Sequence, residues 1–170
     1  GQRGYPYRPV DADDLKVQLA YHLTLITEID KQIGRVVEHL KQTGEYENTI
    51  IVYLADHGDF AGEHGFMLKN MGIYESIHRV PMIFRYPKGP KNQTVHGLMQ
   101  LVDVYPTLCA LAGLPIPEHL DGSNQVPLLQ GQSDGLDHVV CEWDFGSHDQ
   151  SCVFAVRTDR YRLVYYLDHR

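Results

Sequence analysis

The chain has 170 residues, of which 43% are hydrophobic and 22% are charged, a balance typical of a globular unit and not of a disordered segment. Its 22 acidic residues outnumber the 15 basic ones, and the basic residues are scattered, which argues against a nucleic-acid partner. The longest apolar run, 50–55, is far below the roughly 18 to 20 residues that a membrane-spanning helix requires. We therefore expect neither a nucleic-acid-binding protein nor a membrane protein.

The first predicted element is a long amphipathic helix over 11–40. Asp11 suits its start and Gly44 suits its end, because a short acidic side chain caps free N–H groups and glycine tolerates a left-handed backbone. Apolar residues recur in three- and four-residue steps with one seven-residue gap, at Leu15, Leu19, Leu23, Ile26, Ile33, Val37 and Leu40.

Two strands are predicted next. The run 49–54 (TIIVYL) is β-branched and lacks polar alternation, which indicates a strand buried on both faces and hence part of a parallel sheet. The run 80–84 indicates a second strand, and Pro81 restricts it to a strand start or a sheet edge. A long helix followed by a buried strand predicts an α/β architecture.

The C-terminal half predicts a shorter helix over 103–112, with Asp103 as its N-cap and Gly113 just past its end. A long loop separates this helix from three short strands, which we expect to form a small antiparallel sheet beside the main one. The three strands are 139–143, 153–157 and 161–166, and a turn at 158–160 separates the last two.

The three cysteines, Cys109, Cys141 and Cys152, form no C-x-x-C pair and cannot all be paired with one another. This argues against a disulfide framework or a zinc knuckle, so we interpret them as packing residues. The cysteines leave the compartment open, and a periplasmic, secreted or cytoplasmic protein would be compatible with them.

Candidate chemistry is concentrated in 55–74, directly after the strand 49–54, and ligands bind at the carboxyl ends of strands in open α/β sheets. Asp56 and His57 are adjacent, and both can reach one divalent cation only if the backbone turns there, which Gly58 makes easy. Two ligands do not complete a shell, so at least two more must come from elsewhere. The alternative interpretation is an ordinary turn in which Asp56 caps backbone N–H groups.

Other polar residues of this stretch have two interpretations each. His64 and Glu63 are either ligands or supporting groups, or else surface and packing residues. Asp59 is interpreted as a solvated turn acid, and Lys69, from its spacing alone, as a solvated loop cation.

Together these segments resemble the C-terminal part of the sulfatase family, in the alkaline-phosphatase-like superfamily, and the similarity runs in order over nearly the whole chain. The matching motifs are Ile29-Asp30-x-x-Ile33-Gly34, Gly44-x-x-x-Asn48-Thr49, Asp56-His57-Gly58, Gly62-Glu63-His64-Gly65, Lys69, Tyr74-Glu75, Arg79-Val80-Pro81, 102–107, 112–114, 122–129 and 156–161.

The resemblance implies an alkaline-phosphatase-like mixed sheet flanked by helices, incomplete here, within 1–130, and a small C-terminal β subdomain within 131–170. It also implies that Asp56 and His57 bind a divalent cation, usually Ca²⁺, with Mn²⁺ or Mg²⁺ as alternatives. Lys69, thirteen positions after Asp56, is expected to contact the sulfate oxygens, and His64 to play a supporting role in catalysis. The implied substrate is a small anionic sulfate ester.

The chain also departs from the family pattern. Sulfatases carry an acidic pair that completes the metal shell and a C-x-P-x-R or S-x-P-x-R motif that yields a formylglycine nucleophile, and neither occurs here. We therefore expect a fragment without turnover in isolation, whose nucleophile is not in this chain. We also expect self-association through the region around 49–54, or pairing with the missing N-terminal half.

Two rival functions stay open at this point. One is a phosphonate or phosphate ester hydrolase of the same superfamily, because those relatives use a similar Asp-His-Gly and lysine arrangement. The other is a non-catalytic module that binds a metal structurally or serves as an interaction surface.

Overall fold

The computed structural model describes residues 11–69, 74–144 and 152–167. Within these ranges, no helix is both long enough and apolar enough to cross a bilayer. The elements in chain order are α1 (Ala12–Gln42), β1 (Ile51–Leu54), α2 (Glu75–His78), β2 (Met82–Arg85), α3 (Val104–Leu111), α4 (Val126–Leu129), β3 (His138–Asp144), β4 (Cys152–Thr158) and β5 (Arg162–Leu167).

Helix α1 confirms the predicted long helix. The N–H of Asp13 donates to Oδ1 of Asp11 at 3.1 Å, so Asp11 is the N-cap, and Gly44 follows the end with a φ of +75°. None of the residues of α1, all of which the structure describes, is buried. Of the apolar stripe predicted from the sequence, Leu23 and Ile26 are 61% and 49% exposed and the other five residues are half-buried. Other apolar side chains of α1 are exposed as well, among them Ile29 at 51%.

Strand β1 pairs with β2 in an antiparallel register, from Ile51 opposite Arg85 to Leu54 opposite Met82. The prediction of a parallel strand buried on both faces is therefore wrong for the described part of the chain, where Tyr53 and Leu54 are 36% and 37% exposed. An apolar run shows that a strand can be buried on both faces, but burial also requires layers that cover both faces. The second strand, predicted over 80–84, is found at Met82–Arg85, so it begins directly after Pro81.

The three C-terminal strands form the predicted antiparallel sheet, in the order β3-β4-β5. Its core consists of Val153 and Ala155, which are 4% and 1% exposed, with Cys141, Trp143 and Val164 packed against them. The predicted turn between β4 and β5 is closed by a hydrogen bond of 2.8 Å from the N–H of Thr158 to the carbonyl of Tyr161.

Helix α3 is confirmed with slightly shorter bounds, and Asp103 occupies its N-cap position as predicted, but its side chain does not cap the helix. Its carboxylate accepts hydrogen bonds from the N–H groups of Gln100 and Ser123, each at 2.8 Å, and does not cap α3. A 3₁₀ turn at Leu101–Asp103 precedes α3, so the N–H of Gln100 lies within reach of Asp103 in a capping box. The short helix α4 lies in a segment predicted to be a loop.

The described residues form a mixed α/β arrangement with two small antiparallel sheets, which agrees with the predicted α/β class. The division into 1–130 and 131–170 stays a prediction.

Candidate functional site

Asp56 and His57 lie in a bend directly after β1, and the bend brings their side chains together. Nε2 of His57 is 3.7 Å from Oδ2 of Asp56, although adjacent residues on a continuing strand would point to opposite faces. The Asp56 side chain is 87% exposed and that of His57 is 37% exposed. The turn that the sequence required for a shared ligand is therefore present, and the pair faces solvent.

The His57 ring is held by a backbone carbonyl. Its Nδ1 lies 2.8 Å from the carbonyl oxygen of Gly58. Because a carbonyl can only accept, Nδ1 is the donor in this contact, and in the neutral imidazole the lone pair is then on Nε2, on the side of Asp56. Metal-binding histidines are commonly oriented in this way, with the second ring nitrogen donating to a carbonyl or carboxylate.

Gly58 is itself fixed by α2. Its N–H donates to the carbonyl of Ile77 at 2.8 Å, and Ile77 is 1% exposed. A Cβ at position 58 would lie 1.8 Å from the backbone oxygen of Ser76, so only glycine allows this approach. The orientation of His57 therefore depends on the packing of the turn against α2.

The pair fits a divalent cation, but supplies only part of its shell. Asp56 Oδ1 accepts from the N–H of His57 at 2.9 Å, which leaves Oδ2 beside the Nε2 lone pair. A carboxylate oxygen and a neutral imidazole nitrogen are ordinary ligands of such a cation. In the described ranges, no group of three or more His, Cys, Asp and Glu side chains could hold a metal ion. The geometry of the pair is also compatible with the simpler interpretation of Asp56 as a residue that binds backbone N–H groups.

The loop that follows is built around an aromatic cluster, which the sequence analysis did not identify. Phe60 is 2% exposed, and its ring centroid lies 5.1 Å from that of Phe66 and 5.4 Å from that of Tyr74. Gly62 and His64 have φ angles of +95° and +55°, so the loop turns tightly around the cluster.

His64 belongs to this cluster. Its ring lies 4.6 Å from the ring of Tyr74, and its Nε2 is 3.5 Å from Oε1 of Glu63. Asp59 forms the expected acidic turn by accepting from the N–H of Ala61 at 2.7 Å, although it is partly buried instead of solvated. The supporting role of His64 in catalysis stays a prediction.

Lys69 is exposed and lies against the C-terminal sheet. Its Nζ is 5.6 Å from the centroid of the Trp143 ring on β3, which is within cation–π range. This partner was not predicted, because Trp143 is 74 positions away in the chain and matched only a strand pattern. The predicted contact of Lys69 with sulfate stays a prediction.

Glu75, the first residue of α2, also contacts the C-terminal sheet. Its Oε1 lies 3.1 Å from Nε of Arg157 and 3.4 Å from Nη1 of Arg162. Burial raises the pKa of the nearby Cys141 thiol; the Arg162 charge opposes this rise and the Glu75 charge adds to it. This cluster was not predicted, since the two arginines are 82 and 87 positions from Glu75 in the chain and only the folded structure brings them together.

Comparison with known proteins identifies the family to which this chain belongs. The sequence model of the sulfatase family matches residues 3–114, and that of the C-terminal region of N-sulphoglucosamine sulphohydrolase matches residues 62–170. Each match spans more than half of the chain. The chain belongs to the sulfatase family, whose members generally use a divalent metal.

Three similar proteins show how far the likeness extends. The chain is 31% identical over 156 residues to an N-acetylglucosamine-6-O-sulfatase of Bacteroides thetaiotaomicron. The aligned region covers 85% of the chain and 27% of that protein. The structure of a 2-O GAG sulfatase matches 94% of the chain and 36% of its own length, with a TM-score of 0.85 and 30% identity. The phosphonate monoester hydrolase of Agrobacterium radiobacter matches the same shares, with a TM-score of 0.83 and 27% identity.

The resemblance and the alkaline-phosphatase-like fold predicted from the sequence are confirmed by these matches. The chain spans less than a third of the length of the curated relatives it matches. The identity of the metal and the residues of the site stay predictions.

Proposed function

We propose that this chain forms part of the active site of a sulfuric ester hydrolase, in which Asp56 and His57 bind a divalent cation and Lys69 binds the sulfate group. The orientation of His57 is the main support, because the Gly58 carbonyl occupies Nδ1 and leaves the Nε2 lone pair 3.7 Å from the Asp56 carboxylate. We propose Ca²⁺ as the cation, with Mn²⁺ and Mg²⁺ as alternatives.

Sulfate ester hydrolysis requires that the non-bridging oxygens be held and that developing charge be neutralised. The bound cation would supply charge neutralisation beside the sulfur. Lys69 suits the remaining task because its ammonium is exposed, compact and able to donate three hydrogen bonds to an anion. His64 would support this group from the aromatic cluster, where its ring lies on Tyr74.

The nucleophile in this proposal is a formylglycine that residues outside this chain would supply. Each cysteine here lacks the C-x-P-x-R pattern, since Cys109 precedes ALAG, Cys141 precedes EWDF and Cys152 precedes VFAV. The remaining metal ligands would come from outside the chain as well, and the 170 residues alone are expected to show no turnover.

The proposed substrate is a small anionic sulfate ester. The names of the similar proteins, an N-acetylglucosamine-6-O-sulfatase and a 2-O GAG sulfatase, favour a sulfated sugar. The similarity to a phosphonate monoester hydrolase keeps a second candidate reaction, phosphonate ester hydrolysis, on the same site.

The metal site can be tested on the chain itself by NMR, using the paramagnetic broadening that Mn²⁺ causes near its binding site, which detects even weak sites. Signals of Asp56 and His57 should broaden at lower Mn²⁺ concentrations than those of Glu38 and His39. That second pair is also an adjacent acid and histidine, but it lies on α1, where adjacent side chains diverge.

An Asp56→Ala variant should lose the preferential broadening at His57, whereas Asp121→Ala, at an exposed turn, should keep it. Broadening of both acid–histidine pairs at the same Mn²⁺ concentration would contradict the proposed metal site. Calorimetry that shows tight Ca²⁺ binding unaffected by Asp56→Ala would instead favour a structural metal module.

The reaction can be tested on a form of the protein that includes the nucleophile, with matched aryl sulfate and aryl phosphonate esters. A higher kcat/KM for the sulfate ester is expected, and Lys69→Ala should lower it more than Lys88→Ala, an exposed turn lysine. A strong preference for the phosphonate ester would favour the second candidate reaction.

A further inference from the structure

One face of the C-terminal sheet carries both the apolar core of that sheet and the residues that contact Lys69 and Glu75. Side chains alternate across a strand, so Cys141 and Trp143 on β3 share a face with the buried Val153 and Ala155 on β4. Continuing the same alternation, Arg157 on β4 and its cross-strand neighbour Arg162 on β5 belong to this face.

The two ends of this face contact two residues that are six positions apart in the chain. Trp143 lies under Nζ of Lys69 at 5.6 Å, and the two arginines bind Glu75 at 3.1 and 3.4 Å. The row of Trp143 and that of Arg157 are four residues apart along β4, which corresponds to about 13 Å. The sheet therefore holds Lys69 and Glu75 at two separate positions along β4.

We propose that Trp143 is a positioning residue for Lys69, and that the contact of Glu75 with Arg157 and Arg162 anchors the start of α2 to the same sheet. This inference rests on the proposed function of Lys69 as the cation that binds sulfate.

The chemistry of the pair explains why an indole suits this position. Lysine is a flexible side chain, so an unrestrained ammonium occupies many rotamers, and ordering it opposes anion binding. A carboxylate partner would restrain the ammonium but would also neutralise its charge. The indole face attracts a cation through its quadrupole and leaves the full positive charge available to an anion.

Glu75 extends the same support to the metal ligands. It begins α2, and the carbonyl of Ile77 in that helix accepts from the N–H of Gly58, whose own carbonyl contacts the His57 ring. The C-terminal sheet thus contacts the proposed sulfate-binding side chain, Lys69, directly, and it supports the proposed metal ligands through α2.

The first measurement uses the chain itself and needs no substrate. A lysine methylene group held over an indole ring shows an upfield ring-current shift in proton–carbon NMR spectra, and Lys69→Arg identifies its signals. The shift is expected in the native chain, should be reduced in Trp143→Phe, and should be absent in Trp143→Ala. Tyr165→Ala removes an exposed aromatic side chain from β5 and should leave it unchanged.

The second measurement is a titration with inorganic sulfate, followed at the Lys69 signals. Trp143→Ala should weaken sulfate binding about two- to fivefold, which corresponds to the range of a solvent-exposed cation–π contact. Trp143→Phe should recover part of the affinity, since a benzene ring keeps the quadrupole, and this recovery separates positioning from a general loss of the fold.

The outcomes distinguish the two hypotheses. If sulfate does not move the Lys69 signals of the native chain, the proposed function of Lys69 is wrong, and its positioning by Trp143 has no role. If sulfate binds to the native chain and equally well to a folded Trp143→Ala variant, or if the native chain lacks the ring-current shift, the positioning role alone is overturned.

Discussion

Gly58 allows a quantitative test of how the metal-ligand turn is held. A Cβ at this position would meet the Ser76 oxygen at 1.8 Å, whereas real Cβ contacts stay beyond 3.0 Å, so α2 would have to move by about 1.2 Å. The obstacle is backbone, which cannot rotate away as a flexible side chain can. Gly58→Ala should also break the bond from Gly58 to Ile77. Overpacking of about 1 to 3 kcal/mol and a lost hydrogen bond of about 1 kcal/mol predict a destabilisation of roughly 2 to 4 kcal/mol.

The assay is urea denaturation of the native chain and two alanine variants, with the free energy of unfolding as the readout. Gly34→Ala is the matched control, because a Cβ at Gly34 meets nothing within 4 Å and the residue lies inside α1. That variant should be more stable than the native chain by roughly 0.5 to 1 kcal/mol. The reasoning would be refuted if Gly58→Ala unfolded at the same urea concentration as the native chain, or if both alanine variants changed stability equally.

Three further predictions concern other parts of the molecule. Iodoacetamide should modify Cys141 more slowly than a free cysteine at pH 8, because burial raises the pKa of Cys141 and lowers its thiolate fraction. Glu75→Gln removes a charge that raises this pKa and should speed the reaction, whereas the control Glu142→Gln should not. Peptide-level mass spectrometry measures these rates, and a slower reaction in Glu75→Gln would contradict the assignment. Asp11→Ala should lower the stability of α1 by about 1 kcal/mol, seen as a loss of helical circular dichroism on mild heating, and an unchanged melting curve would argue against the cap. The exposed apolar side chains of α1 should promote self-association, so sedimentation should show less association for Ile29→Glu than for Gln42→Glu, which adds the same charge at a polar position. A native chain that stays monomeric at high concentration would count against this.

Local signals predicted the elements well. The spacing of leucines and isoleucines, with Asp11 and Gly44 at the ends, placed α1 within two residues, and alternating strands with a turn at 158–160 placed the C-terminal sheet. The Asp56-His57-Gly58 turn was also predicted, because adjacent side chains on a continuing strand diverge and the glycine that follows them makes a backbone turn easy. These features depend on residues close together in the chain, which is why the sequence alone suffices for them.

Features that depend on distant partners were not predicted. The pattern of 49–54 indicates what β1 can bury, while the strand that pairs with it and the layers that cover it are set elsewhere, so its parallel pairing was predicted wrongly. Asp103 was assigned to the wrong N–H groups because a 3₁₀ turn changed which groups were near it. The contacts of Lys69 with Trp143 and of Glu75 with two arginines join segments over 70 residues apart, and only their packing reveals them.

The length and exposure of α1 affect where the molecule unfolds locally. Thirty-one residues at about 1.5 Å each form a rod of roughly 46 Å. Near its first turn, Leu15 approaches Gly62 in the loop around Phe60. Since no side chain along this rod is buried, its middle turns derive little protection from packing. Amide hydrogens around Ile29 should therefore exchange with deuterated water well before those of Val153 and Ala155. Anything that covered the exposed apolar side chains of α1 would slow exchange around Ile29 first.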